Sequence, residues 1–218
     1  MTLLRLDTSI QGDRSASSAL ADLVVGEYRT AHPDAPVVTR HLGENPLPAD
    51  AWALAYGAGF VPEAERTAEQ RAATELATAL ADEARSAEML VLAMPLYNYG
   101  VSQHAKTWID LAIVGGGTGV PILEGKPVVL VTTRGGSYAE GTPREGWDHN
   151  TDYLRRILVD IWGADLTVVE REFTLVGINP ALDRFAEPAA AMAAQAEREA
   201  VEAGRALSSA RALAAAAS

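Results

Sequence analysis

The 218-residue chain contains no cysteine. Disulfides, iron–sulfur clusters, thiolate nucleophiles and redox-active thiol pairs are therefore excluded, and any redox chemistry must come from an organic cofactor. No apolar run approaches the roughly 18 residues that suggest a membrane span, so no membrane partner is expected. The first residues, Met1-Thr2-Leu3-Leu4-Arg5-Leu6-Asp7, lack the basic start, long apolar segment and cleavage pattern of a signal peptide. They read as a strand, and a cytoplasmic protein is expected. A basic surplus is missing as well: the formal net charge is −11, which argues against nucleic acid as a partner. A phosphorylated ligand is not excluded, because screening over roughly 8 Å leaves local donors to outweigh distant carboxylates.

Several signatures of catalysis or cofactor binding are absent too. Gly115-Gly116-Gly117-Thr118-Gly119 fails the G-x-G-x-x-G spacing, with Val120 and Ile122 where a final glycine is needed, and it follows a helix instead of a strand. No G-x-S-x-G elbow occurs. His32, His41, His104 and His149 show no metal-ligand spacing, and no metal is expected.

What is present is an alternation of short apolar runs with longer helical patterns, the signature of an α/β fold with a parallel sheet. Strands are expected over residues 3–8, 36–42, 89–94, 127–133 and 166–171. Helices are expected over 17–32, 67–85, 101–112, 151–162 and from 188 to about 204. The third and fourth strands are continuously apolar, as central strands covered on both faces are. Residues 1–218 read as one domain, with 206–218 as a frayed, alanine-rich tail. For such a five-stranded, doubly wound sheet with helices on both faces, the order 2-1-3-4-5 is expected, placing a ligand at the carboxyl ends of strands 1, 3 and 4. Residues 43–62, with prolines at 46, 48 and 62 and apolar Trp52, Leu54, Tyr56 and Phe60, read as a long loop serving an interface or a lid.

Those three strand ends carry the informative residues. After the first come Ser9 and the run Ser15-Ala16-Ser17-Ser18 opening a helix, whose N-terminal N–H groups and dipole suit a phosphate. One serine acting as a simple N-cap is the bland alternative. After the third strand, Pro95, Leu96, Tyr97, Asn98 and Tyr99 crowd two aromatics and an amide where small turn residues are usual. After the fourth, Thr133, Arg134, Gly135 and Gly136 include a glycine pair that permits close approach of backbone to a planar ligand. Together they form a phosphate-to-ring path that suits flavin mononucleotide, FMN. Trp108 and Leu111, at helical spacing, read as core or subunit-contact residues.

Met94-Pro95-Leu96-Tyr97-Asn98-Tyr99-Gly100-Val101 followed by Trp108-Ile109-Asp110 resembles the bacterial FMN-dependent NADH:quinone oxidoreductases and azoreductases. Asn45-Pro46-Leu47-Pro48 and the stretch from Asp148-His149-Asn150 to Tyr153-Leu154 extend the resemblance through most of the chain. It implies a flavodoxin-like homodimer with FMN at the dimer interface, NADH or NADPH as donor and a small quinone or azo compound as acceptor. By this resemblance Ser9 and Ser15 to Ser17 hold the phosphate end, Leu96 to Tyr99 face the ring, and Thr133 to Gly136 close around its polar edge. No catalytic side chain is required. A flavodoxin-like electron carrier, a flavin-binding regulatory protein and a reductase of one biosynthetic pathway are the alternative readings. One departure stands out: residues 115–119 are short, glycine-rich and without the aromatics that relatives place there as a pocket wall. A wider or more mobile pocket mouth is expected from it, with weaker stacking of flat acceptors.

Overall fold

The computed structural model describes residues 2–216, with side chains as far as residue 210. Five strands, β1 (Leu3–Asp7), β2 (Val37–His41), β3 (Met89–Ala93), β6 (Pro127–Thr133) and β7 (Asp165–Arg171), pair in parallel in the order β2-β1-β3-β6-β7. Counting only these strands, that is the expected 2-1-3-4-5 sheet. β4 (Leu96–Tyr97) and β5 (Gly100–Val101) form a separate small antiparallel hairpin.

Helices cover both faces because β3 and β6 are apolar on both, while β1 is apolar on one and carries Leu3 with the Arg5–Asp7 ion pair on the other. On one side α1 (Ala16–Ala31) and α6 (Ala186–Ala216) bury Leu20, Val24, Ala196 and Ala200 against Leu3, Val91 and Val129. On the other, α2 (Ala51–Ala58), α3 (Ala68–Ser86), α4 (Gln103–Gly116) and α5 (Thr151–Arg155) enclose Leu4, Leu90, Leu92 and Leu130. Trp108 and Trp162 meet edge to face there at 5.5 Å, both fully buried, so Trp108 and Leu111 are core residues. None of the helices among the described residues is long and apolar enough to cross a membrane.

Three expectations change. Residues 43–62 are not a plain loop: they contain α2, which buries Ala51, Ala55 and Ala58 and leaves Trp52, Tyr56 and Phe60 outside. The last helix does not end near Gly204 but continues to Ala216, since Leu207 and Ser208 are still buried; residues 217–218 lie outside the described residues. Residues 115–119 lie away from the cleft of their own chain. As a crossover between parallel strands, α4 leads away from the carboxyl end of β3, and a Cβ on Gly115 would sit 2.0 Å from the Ala77 carbonyl oxygen. Glycine there allows α3 and α4 to approach closely. None of these residues lines the cleft described next.

Candidate functional site

Because β1, β3 and β6 are neighbours, the three chain segments leaving them converge. The pairing runs past the strand ends, with the Thr8 N–H on the Ala93 carbonyl at 3.0 Å and the Met94 N–H on the Val131 carbonyl at 2.9 Å. Above them opens a cleft of about 460 Å³, within the range typical of small-molecule sites. Ser9, Ser15, Ala16, Pro95, Leu96, Tyr97, Asn98, Tyr99, Thr133, Gly135 and Gly136 all line it; Ser17 and Arg134 do not.

At one end, a turn over Gly12–Arg14 delivers the chain to α1. Ser15 is the N-cap: its Oγ accepts the Ser18 N–H at 3.1 Å and lies 3.1 Å from the Ser17 Oγ. The bland alternative for one serine is thus realised, but the N–H groups of Ala16 and Ser17 have no partner among the described residues. They are the two donors left over at the positive end of the helix dipole, the arrangement that binds anions. Ser17 contributes that N–H, while its buried side chain turns to Ser15. Gln11 and Arg14 also reach the cleft.

Tyr97 joins this end to the middle. Its phenol oxygen lies 3.0 Å from the Ser9 Oγ and accepts the Ile10 N–H at 3.2 Å, while the Gln11 N–H donates to the Ser9 Oγ. Asn98 and Tyr99 form the two-residue tip of the β4–β5 hairpin, with φ of 48° and 71°. Two left-handed residues suit such a tip. Asn tolerates that region, whereas for Tyr it is a strained conformation of the kind found at functional sites. The strain is held by the Tyr99 carbonyl accepting the His149 N–H at 3.0 Å.

Beyond β6, the N–H groups of Gly135 and Gly136 have no partner among the described residues, while the carbonyl of Gly135 accepts from Leu175. A Cβ on Gly135 would meet the Leu175 Cδ1 at 2.6 Å, so glycine leaves the Leu175 side chain room to lie against this strand end. Arg144, Thr174, Leu175 and Ile178 complete the lining. Arg144 lies within the β6–α5 connection and Thr174, Leu175 and Ile178 follow β7, and none of them belongs to a local motif. Tyr138 and Arg144 come from the β6–α5 connection, with the guanidinium 5.8 Å from the Tyr138 ring and 5.9 Å from that of Tyr99. Trp147 adds an edge-to-face contact to Tyr99 at 5.6 Å.

Arg134 is placed behind the cleft. It is nearly buried and donates to Asp148 at 2.8 Å, to Thr151 at 2.9 Å and to Glu170 at 3.2 Å. Burial pulls its basicity down, but Glu170 and Asp148 outweigh this and hold it above its ordinary value. Strand alternation contains the signal: if Thr133 faces the cleft, the next side chain faces away. Among the described residues, no group of three or more His, Asp or Glu is placed to hold a metal ion.

Residues 1–200 match the flavodoxin-like fold family. A protein of Frankia alni named FMN-dependent NADH:quinone oxidoreductase is 37% identical over 85% of this chain and 90% of its own length. A protein of the same name from Streptomyces avermitilis is 36% identical over 91% of this chain and 93% of its own. Among solved structures, an azoreductase from Bacillus anthracis superposes with a TM-score of 0.75 at 22% identity, covering 94% of this chain and 98% of that one.

Proposed function

The chain belongs to the flavodoxin-like FMN-dependent NADH:quinone oxidoreductases, and from that premise we propose that its cleft holds FMN along a path from the start of α1 to Gly136. The observation that carries this reading is the donor set. Unpaired N–H groups of Ala16 and Ser17 stand at one end of a continuous cleft, and those of Gly135 and Gly136 at the other. A ligand with a phosphate at one end and polar ring edges at the other satisfies both.

When bound, FMN supplies the redox chemistry, accepting a hydride from NADH or NADPH and delivering two electrons to a quinone or azo acceptor. The chain supplies position and charge. Ser9, Ser15, Ala16, Ser17 and Arg14 fix the phosphate. Pro95, Leu96, Tyr97, Asn98 and Tyr99 present one flat side to the ring, held rigid by the Tyr97–Ser9 bond and the strained hairpin. The N–H groups of Gly135 and Gly136 stabilise negative charge at the ring edge without reorganising. Arg134 acts from behind, holding the β6 end in place through Asp148, Thr151 and Glu170.

The proposal includes a homodimer and a cytoplasmic location, where both nicotinamide donors are available. What supports the dimer is the row Trp52, Tyr56 and Phe60 on and just after α2, exposed at 45%, 56% and 74% and in ring contact at 6.1 and 5.2 Å. Light scattering of the FMN-loaded protein tests it; a fully active monomer would overturn it.

The central experiment is acceptor-dependent oxidation of NADH or NADPH by the FMN-loaded protein with benzoquinone, paired with fluorescence titration of FMN. Rapid turnover is expected. Tight FMN binding without turnover would identify an electron carrier or a regulatory protein, and failure to bind FMN would overturn the cofactor assignment.

A further inference from the structure

The chain carries a formal net charge of −11, yet no aspartate or glutamate is among the described residues lining the cleft. Two arginines are, Arg14 and Arg144, and neither makes an ion pair among the described residues. Arg14 adjoins the start of α1 and its unpaired N–H groups. Arg144 stands apart from that end. Its Nη1 is 3.2 Å from where a Cβ on Gly136 would be, and its guanidinium rests against the rings of Tyr99 and Tyr138.

The seat is built by the chain. The Tyr138 N–H donates to Glu172 at 2.8 Å, which fixes where that ring begins. Tyr99 is locked by its left-handed backbone and by Trp147 and Tyr138, at 5.6 and 6.4 Å. The neighbouring acid, Glu145, is engaged by the Gly141 N–H at 2.8 Å and makes no pair with Arg144. A guanidinium stacked on aromatic faces keeps its full charge and leaves its N–H edge for a planar anion, which it binds through two parallel hydrogen bonds.

Resting on the functional reading above, we infer that Arg144, seated on Tyr99 and Tyr138, selects aromatic acceptors that carry a carboxylate or sulfonate on the ring. The alternative source of anionic oxygens is the diphosphate of the nicotinamide donor. The aromatic surroundings favour the acceptor: Tyr99, Tyr138 and Trp147 offer stacking surface beside the charge, which matches an anion attached directly to a flat ring. A dinucleotide diphosphate is separated from its rings by ribose.

The test uses the FMN-loaded protein, its Arg144→Gln variant and an Arg144→Lys variant. Arg144 is exposed, so both should fold. Two ligand pairs separate charge from shape: methyl red against its neutral methyl ester as acceptors, and naphthalene-2-sulfonate against naphthalene-2-sulfonamide as ligands that NADH does not reduce. Arg144→Gln is expected to lower kcat/KM for methyl red and affinity for the sulfonate by about fivefold to tenfold, a modest effect because the site is exposed. With FMN saturating, the ester and sulfonamide should change by less than about twofold, as should the dependence on NADH or NADPH. Arg144→Lys should keep part of the charge preference. Salt should weaken sulfonate binding to the unaltered protein and not to Arg144→Gln. Equal losses for charged and neutral partners, or no loss for either, would overturn the inference; so would a loss confined to the donor. If the protein binds no FMN or does not turn over, the sulfonate pair still decides the matter through tryptophan fluorescence.

Discussion

Arg134 and Arg144 belong to the same connection between β6 and α5 and have opposite surroundings. Arg134 turns behind the strand end, nearly buried, with Asp148 and Glu170 closing around its guanidinium. Arg144 turns to the open cleft, lies against two tyrosine rings and pairs with no carboxylate among the described residues. One cation is used up in holding the scaffold and the other remains available to a ligand. A cleft in an acidic protein becomes attractive to anions by excluding carboxylates from its lining, with no need for a basic surface.

The largest expected difference is in stability. Arg134→Ala leaves Asp148, Glu170 and Glu172 facing one another without their cation, and breaking such a buried pair costs about 3 kcal/mol. Arg144→Ala should stay within about 0.5 kcal/mol of the unaltered protein. Urea unfolding reads both, and equal losses would erase the distinction between the two arginines.

The acid limb of stability sharpens the same contrast. Burial raises the Asp148 carboxyl, but the N–H groups of Thr151 and Asn150 together with Arg134 outweigh burial and hold it below its ordinary value of 3.8. A carboxylate depressed in the folded state contributes stability above its unfolded value, and that contribution is lost as pH falls through the folded one. Unfolding free energy should therefore drop as pH falls below about 4. Asp148→Asn should flatten that limb, and Arg144→Gln should leave it unchanged; a curve identical for Asp148→Asn and the unaltered protein would remove Asp148 as its source.

At the far end of the cleft, Ser15→Ala should cost about 1 kcal/mol of stability through the lost N-cap. It should also weaken FMN roughly tenfold through the disturbed phosphate donors. Riboflavin, which lacks the phosphate, should bind as before. Equal weakening of both ligands would make Ser15 a structural cap and nothing more.

The smallest effect concerns Tyr99. Tyr99→Asn should gain about 0.5 kcal/mol by relieving the left-handed backbone, a fraction of the 1 to 3 kcal/mol stored at such positions. It should reduce the preference for charged acceptors much as Arg144→Gln does, because Arg144 loses half of its seat. A variant that is more stable and equally charge-selective would place the seat on Tyr138 alone.

The five sheet strands were legible because each combines a short apolar or β-branched run with turn residues at its ends, and the continuously apolar residues of β3 and β6 marked the centre of the sheet. The cleft's floor was legible for a related reason, since Tyr97-Asn98-Tyr99 is an unusual sequence for a strand end. The hairpin was not, because its strands are two residues each and its tip carries a tyrosine where glycine is usual. α2 was hidden among prolines, with only alanines on its buried side. Residues 115–119 lie away from their own chain's cleft because topology sends a crossover helix to the opposite end of the sheet.

The sequence by itself determined the alternation of strands and helices and marked three strand ends with unusual residues, because periodicity and turn chemistry act over a few residues; the order of the sheet, expected from the fold type, is set by pairings tens of residues apart. Tertiary structure alone decided which way each polar side chain faces and what meets it there. Glu170 and Glu172 reach Arg134 from β7 and the residue after it, Leu175 reaches Gly135 across the sheet, and Tyr99 and Tyr138 meet around Arg144. Whether a charge is neutralised or left free depends on partners distant in the chain, and only the folded backbone brings them within the few ångströms over which such interactions act.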